Sequence, residues 1–558
     1  MTARRATLKL GTLGVLCIFV LGVSARVSRK APTYKGLPQD WSSHRVIFPL
    51  NSLAKHPGLI NSEPRVMLQL LRRVKAGLRP VGSVASPALT PLPGGVDWSV
   101  STVRGKVPFG QFPAQFTLNP ASPSCSSDFA VFALGNTTGT TGGQATMIGF
   151  NNLYVNSSGT GFCPLTSPFN IFAYNTSTLT GGVIRTSPIL SLDGKKIAFV
   201  ESIGGATPTS VLHVLTYAVN VGASCANGCA AGASVAPGVG NTAKMVTVTY
   251  ANANNTRSSP WIDYNTDTIY VGANDGAVHK ITGVFTTTTP TVVNGGGWPV
   301  TVNNKVPLTG PVQDTVTGNI FVGDNRGILH SFSYLTPGTV SNLVVGVTAT
   351  GSLLDTPLVD APDGVVFVTT SNNGTGAAIV EARTSNLAKL TSVSLGNGSI
   401  GNGGNTIALY DGDVDNAFFT NGPASGHMFA CGTGPADFTP YLYRFPFNAS
   451  VVIQPASSAT QIVNSTTARC SPLTGFFNSN INGGTDFFFW GVTDTCVGAS
   501  GCVMSVANGI TFQRTAETGG TSGIIVDNDT TQPDTSNIYF SNESNPLAAK
   551  QVTQSNLQ

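Results

Sequence analysis

Short apolar runs with alternating or β-branched character, broken by turns of Gly, Asn and Asp, make up most of this chain. Residues 259–281 read "SPWIDYNTDTIYVGANDGAVHKI", and residues 310–332 read "GPVQDTVTGNIFVGDNRGILHSF". Pro260 recurs as Pro311, Asp263 as Asp314, Gly272 as Gly323, Gly276 as Gly327 and His279 as His330, at one unbroken offset. Each copy predicts three strands: one begun through Ser-Pro or Gly-Pro, one after an Asp/Asn turn, and one after a Gly turn. A Pro at the start of the first strand is tolerated because that position need not donate to a ladder.

The template recurs eight times, beginning near Phe112, Thr186, Ser259, Gly310, Asp355, Ile407, Cys470 and Ser522. Repeats of this size with three or four strands bury their faces by radial stacking, which predicts an all-β fold, a β-propeller. Eight blades are expected, with seven as the alternative. The last unit reaches Gln558 without a fourth strand, and "VDWSVS" (96–101) stands just before the first unit with the pattern to supply it. That strand is expected to close the ring, so that residues 96–558 form the propeller.

The front of the chain differs. In residues 1–25, Arg4, Arg5 and Lys9 precede an apolar run from Leu10 to Val23 that ends on Ser24 and Ala25. This is the layout of a signal peptide cleaved after Ala25. Residues 26–95 form an arm in which Val66, Leu70, Val74 and Leu78 fall at helical spacing, with Ser62 as the cap and Glu63 and Pro64 in the first turn. A Pro-rich connector follows, with Pro80, Pro87, Pro91 and Pro93. Charge sharpens the contrast. Residues 26–80 carry a net charge of about +9 and the rest of the mature chain about −8. The arm lacks the unbroken basic run and interleaved aromatics of a nucleic-acid binder, so it is expected to lie against the acidic body.

Composition agrees with short strands and tight turns, since Gly numbers 64 and charged residues make up 10% of the chain. Eight cysteines follow the signal segment, an even number that favours disulfides in an exported chain. Proximity pairs Cys125 with Cys163, Cys225 with Cys229, Cys431 with Cys470, and Cys496 with Cys502. The connectivity itself is not fixed by sequence.

Ser259-Pro260, the Tyr270-Val271-Gly272 strand and the Asp275-Gly276 turn resemble the repeat of quinoprotein-type β-propellers. With "DWSSHRVIF", "GGTDFFFWGV" and "SNIYFSN", the chain also resembles a group of uncharacterised exported bacterial β-propeller proteins, which brings no activity with it. Quinoprotein dehydrogenases hold pyrroloquinoline quinone under a bridge between adjacent cysteines, beside a Trp floor and a calcium ion. Here no two cysteines are adjacent and Trp numbers 5, so the resemblance implies the fold and not the cofactor.

Candidate chemistry is sparse. Asp411, Asp413 and Asp415 stand at alternate positions like the start of a calcium loop, but Asn416 and Gly422 occupy the places where Gly and a bidentate Glu are usual. A thinner version is Asp263, Asn265 and Asp267. Calcium is the cofactor left open; no other is expected. His213, His279 and His330 fall on equivalent strands, which suits repeat positions better than a shared metal. No nucleophile elbow, zinc-helix motif or phosphate loop is present. The sequence therefore predicts a secreted or periplasmic monomer acting as a binding scaffold for a protein or glycan ligand through loops or the axial funnel, without nucleic acid and without stable membrane insertion. The alternative is an enzyme using the funnel: a quinone- or metal-dependent oxidoreductase, or a carbohydrate-active lyase or hydrolase.

Overall fold

The computed structural model describes residues 36–77 and 96–553, apart from 120–121, 223–230, 239–242, 405, 479–483, 510 and 529–534. The signal segment, the Pro-rich connector, and Cys225 and Cys229 lie outside the described residues. Eight antiparallel sheets are arranged as the blades of a β-propeller. The first strands of the blades are, in order, Ala114–Thr117, Ile189–Leu190, Trp261–Asp263, Val312–Asp314, Leu358–Asp360, Asp413–Val414, Thr474–Asn478 and Ile525–Asn528. They line the axis, and each blade's later strands step outward from them.

Blade 3 shows why the repeat folds this way. Trp261–Asp263 pairs with Thr268–Gly272, which pairs with Ala277–Thr282. All five residues of Thr268–Gly272 are buried, because neighbouring blades cover both faces of a middle strand. Gly276 turns the chain at φ +79°, and a Cβ there would sit 1.8 Å from the Asn303 carbonyl oxygen, so no larger residue fits. A hydroxyl just before the first strand also latches the second: Gly272 N donates to Ser258 Oγ at 2.7 Å, Gly323 N to Thr309 Oγ1 at 2.9 Å, and Gly491 N to Ser471 Oγ at 2.7 Å.

Blade 8 is completed from the front of the chain. Val96–Val103 pairs antiparallel with Leu547–Thr553 as the outermost strand. Trp98 is buried against Phe150 of blade 1 and Tyr539 of blade 8. The chain then crosses to the axis, where Gln111 Oε1 accepts from Ser187 N and Oγ of blade 2 and from Ser259 Oγ of blade 3. Gly523 N of blade 8 donates to the Gln111 carbonyl oxygen at 2.7 Å. One side chain and its own carbonyl thereby tie three blades together.

The arm departs from its sequence expectation in two ways. Its helix runs Pro64–Gly77, and Ser62 closes a separate turn of helix, Leu59–Ser62, instead of capping the long one. The Glu63 carboxylate takes the capping role by accepting from Arg65 N at 3.1 Å. More consequentially, residues 36–48 enter the ring. Leu37–Gln39 pairs antiparallel with Ala114–Thr117, and Val46–Ile47 pairs in parallel with Leu358–Asp360. These are the first strands of blades 1 and 5, which stand opposite each other in an eight-membered ring. The segment rises along one wall, turns through the short 3-10 helix Trp41–His44, and descends along the other.

Loss of the closing tryptophan measures the ring's dependence on its first-to-last junction. Trp98→Ala should cost about 3–5 kcal/mol, as large-to-small core replacements do, read as an earlier urea midpoint. Val103→Ala on the same strand, 46% exposed, should stay within about 0.5 kcal/mol.

Candidate functional site

A propeller's axis is its usual binding site, and here it is filled by the chain itself. Leu37, Trp41, Val46, Ile47 and Phe48 are all buried, as are Gln39, Asp40, Ser42, Ser43 and Arg45. This finger, residues 36–48, reaches blades 1, 3, 5, 6 and 8. Trp41 Nε1 donates to the Pro260 carbonyl of blade 3 at 3.2 Å, and Gln39 Nε2 to the Val526 carbonyl of blade 8 at 2.6 Å. His44 stacks on Phe112 with ring centroids 5.2 Å apart.

Two arginines fix the finger. Arg65, on the helix, lies with its guanidinium 4.1 Å from the Trp261 ring centroid and 5.3 Å from that of Tyr264. It donates to Glu63 Oε1, Ser42 Oγ and the Ile262 carbonyl oxygen, so helix, finger and blade 3 share one buried fork. Arg45 pairs with Asp355 of blade 5 at 2.7 Å, with Asp411 of blade 6 at 3.9 Å from its other terminal nitrogen. Asp411 N donates to Asp355 Oδ2 at 2.9 Å. Burial and the neighbouring Asp355 push the Asp411 carboxyl up to about 8, against the pull of Arg45. One guanidinium thus faces two buried carboxyls, and burial raises both.

The space left beside the finger is a shallow open cleft of ≈ 70 Å³ against blades 6 and 7, lined by His44, Gln69, Asp413, Phe419, Phe476 and Asp486 among others. Its carboxylates are engaged: Asp413 Oδ2 accepts from Gly475 N at 2.7 Å and Asp486 Oδ1 from Asn416 N at 2.8 Å.

The three aspartates of the calcium-like run do not converge. Asp411 faces Arg45, and Asp413 binds the Gly475 amide. Asp415 caps the helix Asn416–Thr420 through Phe418 N and also holds His427, whose Nδ1 lies 2.9 Å from Oδ2. "NAFFT" is therefore a capped helix where the repeat predicts a second strand, and the second strand is His427–Thr433. A capping Asp three residues before an amide it can reach outcompetes β-propensity here. Among the described residues no group of three His, Cys, Asp or Glu side chains is placed to share a metal ion.

The three histidines are also kept apart, each bound within its own blade. His213 Nε2 lies 2.9 Å from Glu201 Oε2, His279 Nε2 3.0 Å from Asp275 Oδ2, and His330 Nε2 3.1 Å from Asp324 Oδ2. Among the described residues three disulfides are formed: Cys125–Cys163, Cys431–Cys470 and Cys496–Cys502. The second of these joins blade 6 to blade 7. Sequence reasoning missed Arg45, Arg65, Asp355 and Gln111. The signal that could have found them is the cost of Trp41, Ile47 and Phe48 in an arm too small to bury them alone.

No protein family model matches the chain, and no curated protein sequence does. Among solved structures, it is similar to Sqt1 of Chaetomium thermophilum bound to the N-terminus of ribosomal protein L10, at 13% identity over 83% of this chain and 100% of that one, with a TM-score of 0.47. It is also similar to BamB from Moraxella catarrhalis, at 12% identity over 68% and 95% with a TM-score of 0.35. A third is a quinohemoprotein alcohol dehydrogenase from Pseudomonas putida, at 8% identity over 69% and 75% with a TM-score of 0.37. Such likenesses concern the fold alone.

The buried acids set a pH dependence. Glu381 and Glu543 are each pushed up by burial to about 7, and Asp411 to about 8, whereas unfolded carboxyls titrate near ~4. Between those values the folded chain holds protons that the unfolded chain has lost, so stability falls as pH rises. Glu201 and Asp324, held low by their histidines against burial, lose their contribution only below that window. Calorimetry should show the thermal midpoint falling from pH 5.5 to pH 8.5, and Asp411→Asn should flatten the fall. A midpoint that rises across this range contradicts the assignment.

Proposed function

We propose that the chain is an exported interaction scaffold that recognises a protein or glycan through the loops and rims of its blades. The observation that carries this reading is the occupied axis. The funnel through which a ring of this kind would take a substrate holds Trp41, Arg45 and the aromatic stack of Arg65 instead. Carboxyls in and around it serve the finger and the blades. The repeat-borne histidines are bound to carboxylates of their own blades. What remains for recognition is the outer surface, where the units differ most in their insertions.

Export is supported by the layout of residues 1–25 and by the three disulfides, which fit an oxidising compartment. Among the described residues no helix is long and apolar enough to cross a membrane. The quinone reading finds little support. Adjacent cysteines are absent from the sequence, and the finger takes the axial space where such rings hold the cofactor.

The full mature chain, screened on a glycan array and against exported proteins, should bind a ligand saturably and return it unchanged, with no quinone absorbance in the purified protein. A ligand converted to product, or a bound chromophore, overturns the scaffold reading.

A further inference from the structure

Where the first strands begin, the rim of the ring carries two arginines without anionic partners. Three residues before the proline that opens a blade, blades 4 and 5 place Leu308 and Leu354, whereas blades 2 and 3 place Arg185 and Arg257. Two residues on from each arginine, Ser187 N donates to Ser259 Oγ at 3.0 Å, so the two start from adjoining places on the rim. Both are part-exposed. The arm's helix docks at the far ends of these strands, through Ile262 of blade 3.

Among the described residues neither arginine is ion-paired with a carboxylate, and Arg185 Nε is buried without a partner. Arg257 Nη1 donates to Asn325 Oδ1 of blade 4 at 3.0 Å. Burial pulls the Arg257 pKa down, and the group that acts against this is the Tyr410 phenol, not a carboxylate. Acids nearby have cations of their own: Asp355 and Asp411 face Arg45, and Glu543 faces Lys106 at 2.7 Å.

An aromatic surface lies beside the two guanidiniums. Phe109, ahead of blade 1, meets Tyr410, ahead of blade 6, with ring centroids 5.9 Å apart, so the pair spans the mouth of the axis. Both rings are part-exposed. The Ile184 carbonyl and the Pro108 ring both crowd Gly135, which brings the next residues of those segments, Arg185 and Phe109, to the same place. Tyr410 in turn interacts electrostatically with Arg257.

We propose that Arg185, Arg257, Asn325, Phe109 and Tyr410 form a binding site for a sugar bearing a carboxylate, at the mouth of the axis on the face away from the arm's helix. This rests on the scaffold reading and names its ligand class. A guanidinium fork takes a carboxylate through two parallel bonds, the Asn325 amide suits a hydroxyl, and an aromatic ring takes the apolar face of a pyranose. An acidic peptide would use the arginines and leave the part-exposed aromatic pair unused.

Isothermal titration of the full mature chain at pH 7 and low salt tests this with tri-galacturonate, a glucuronate disaccharide, sialyllactose, neutral galactotriose and a poly-glutamate peptide. At least one of the three acidic sugars should bind at one site per chain, and the neutral sugar and the peptide should not. Arg257→Gln and Arg185→Gln should melt cooperatively and weaken binding about tenfold or more, as loss of a hydrogen bond to a charged group does. Lys389→Gln, on the exposed outer strand of blade 5, should bind like the unaltered chain. Absence of binding by all three acidic sugars overturns the proposal, while a hit of another kind would leave the scaffold reading standing. Equal binding of the peptide, or full binding by both arginine variants, also overturns it. An acidic sugar recovered cleaved, with both arginine variants weakened, would support the site and overturn the scaffold reading.

Discussion

The inner edges of eight blades cannot meet, and the hole they leave governs the rest of this structure. Each first strand turns one edge toward the axis, and backbone groups on such an edge need partners. In blades 1 and 5 the arm adds a strand to that edge, antiparallel on one wall and parallel on the other. Apolar residues of the finger then join the main core, with Trp41, Val46, Phe48 and Val66 in one cluster with the blades. A finger of this kind brings charge with it, and buried charge is tolerated only where it is paired or bonded. Arg45 and Arg65 meet that condition through Asp355, Glu63 and three backbone or hydroxyl acceptors.

Filling the axis changes where function can reside. Polar residues that recur with the repeat are absorbed by the blades: the histidines hold turn or strand carboxylates, and the hydroxyls before the first strands hold second-strand amides. Informative residues are those that break the repeat. Asp415 breaks it with a capped helix, and Glu381 with a carboxylate that accepts from Ile453 N of the next blade at 2.7 Å.

The blades were legible in the sequence because a strand, an Asp turn and a Gly turn each leave a local mark. Ser258, Asp263 and Gly276 are readable one at a time. The finger was not legible, because Leu37–Gln39 and Val46–Ile47 are too short to show a period and owe their strand conformation to edges more than 70 residues away in sequence. Resemblance noticed "DWSSHRVIF" without giving it a place. The arm's helix and its basic charge were readable. Its destination was not, since neither says which acidic partner is near. "NAFFT" misled for a local reason, with β-formers on a segment that Asp415 caps.

Amide hydrogen exchange across residues 36–48 of the intact chain tests the central claim most directly. If the finger is a structural member of the ring, the amides of Leu37–Gln39 and Val46–Ile47 exchange as slowly as those of the strands they pair with, Ala114–Thr117 and Leu358–Asp360. Exchange of the whole segment at the rate of an open chain, while those blade strands stay protected, would contradict the account and return the axis to the list of sites open to a ligand.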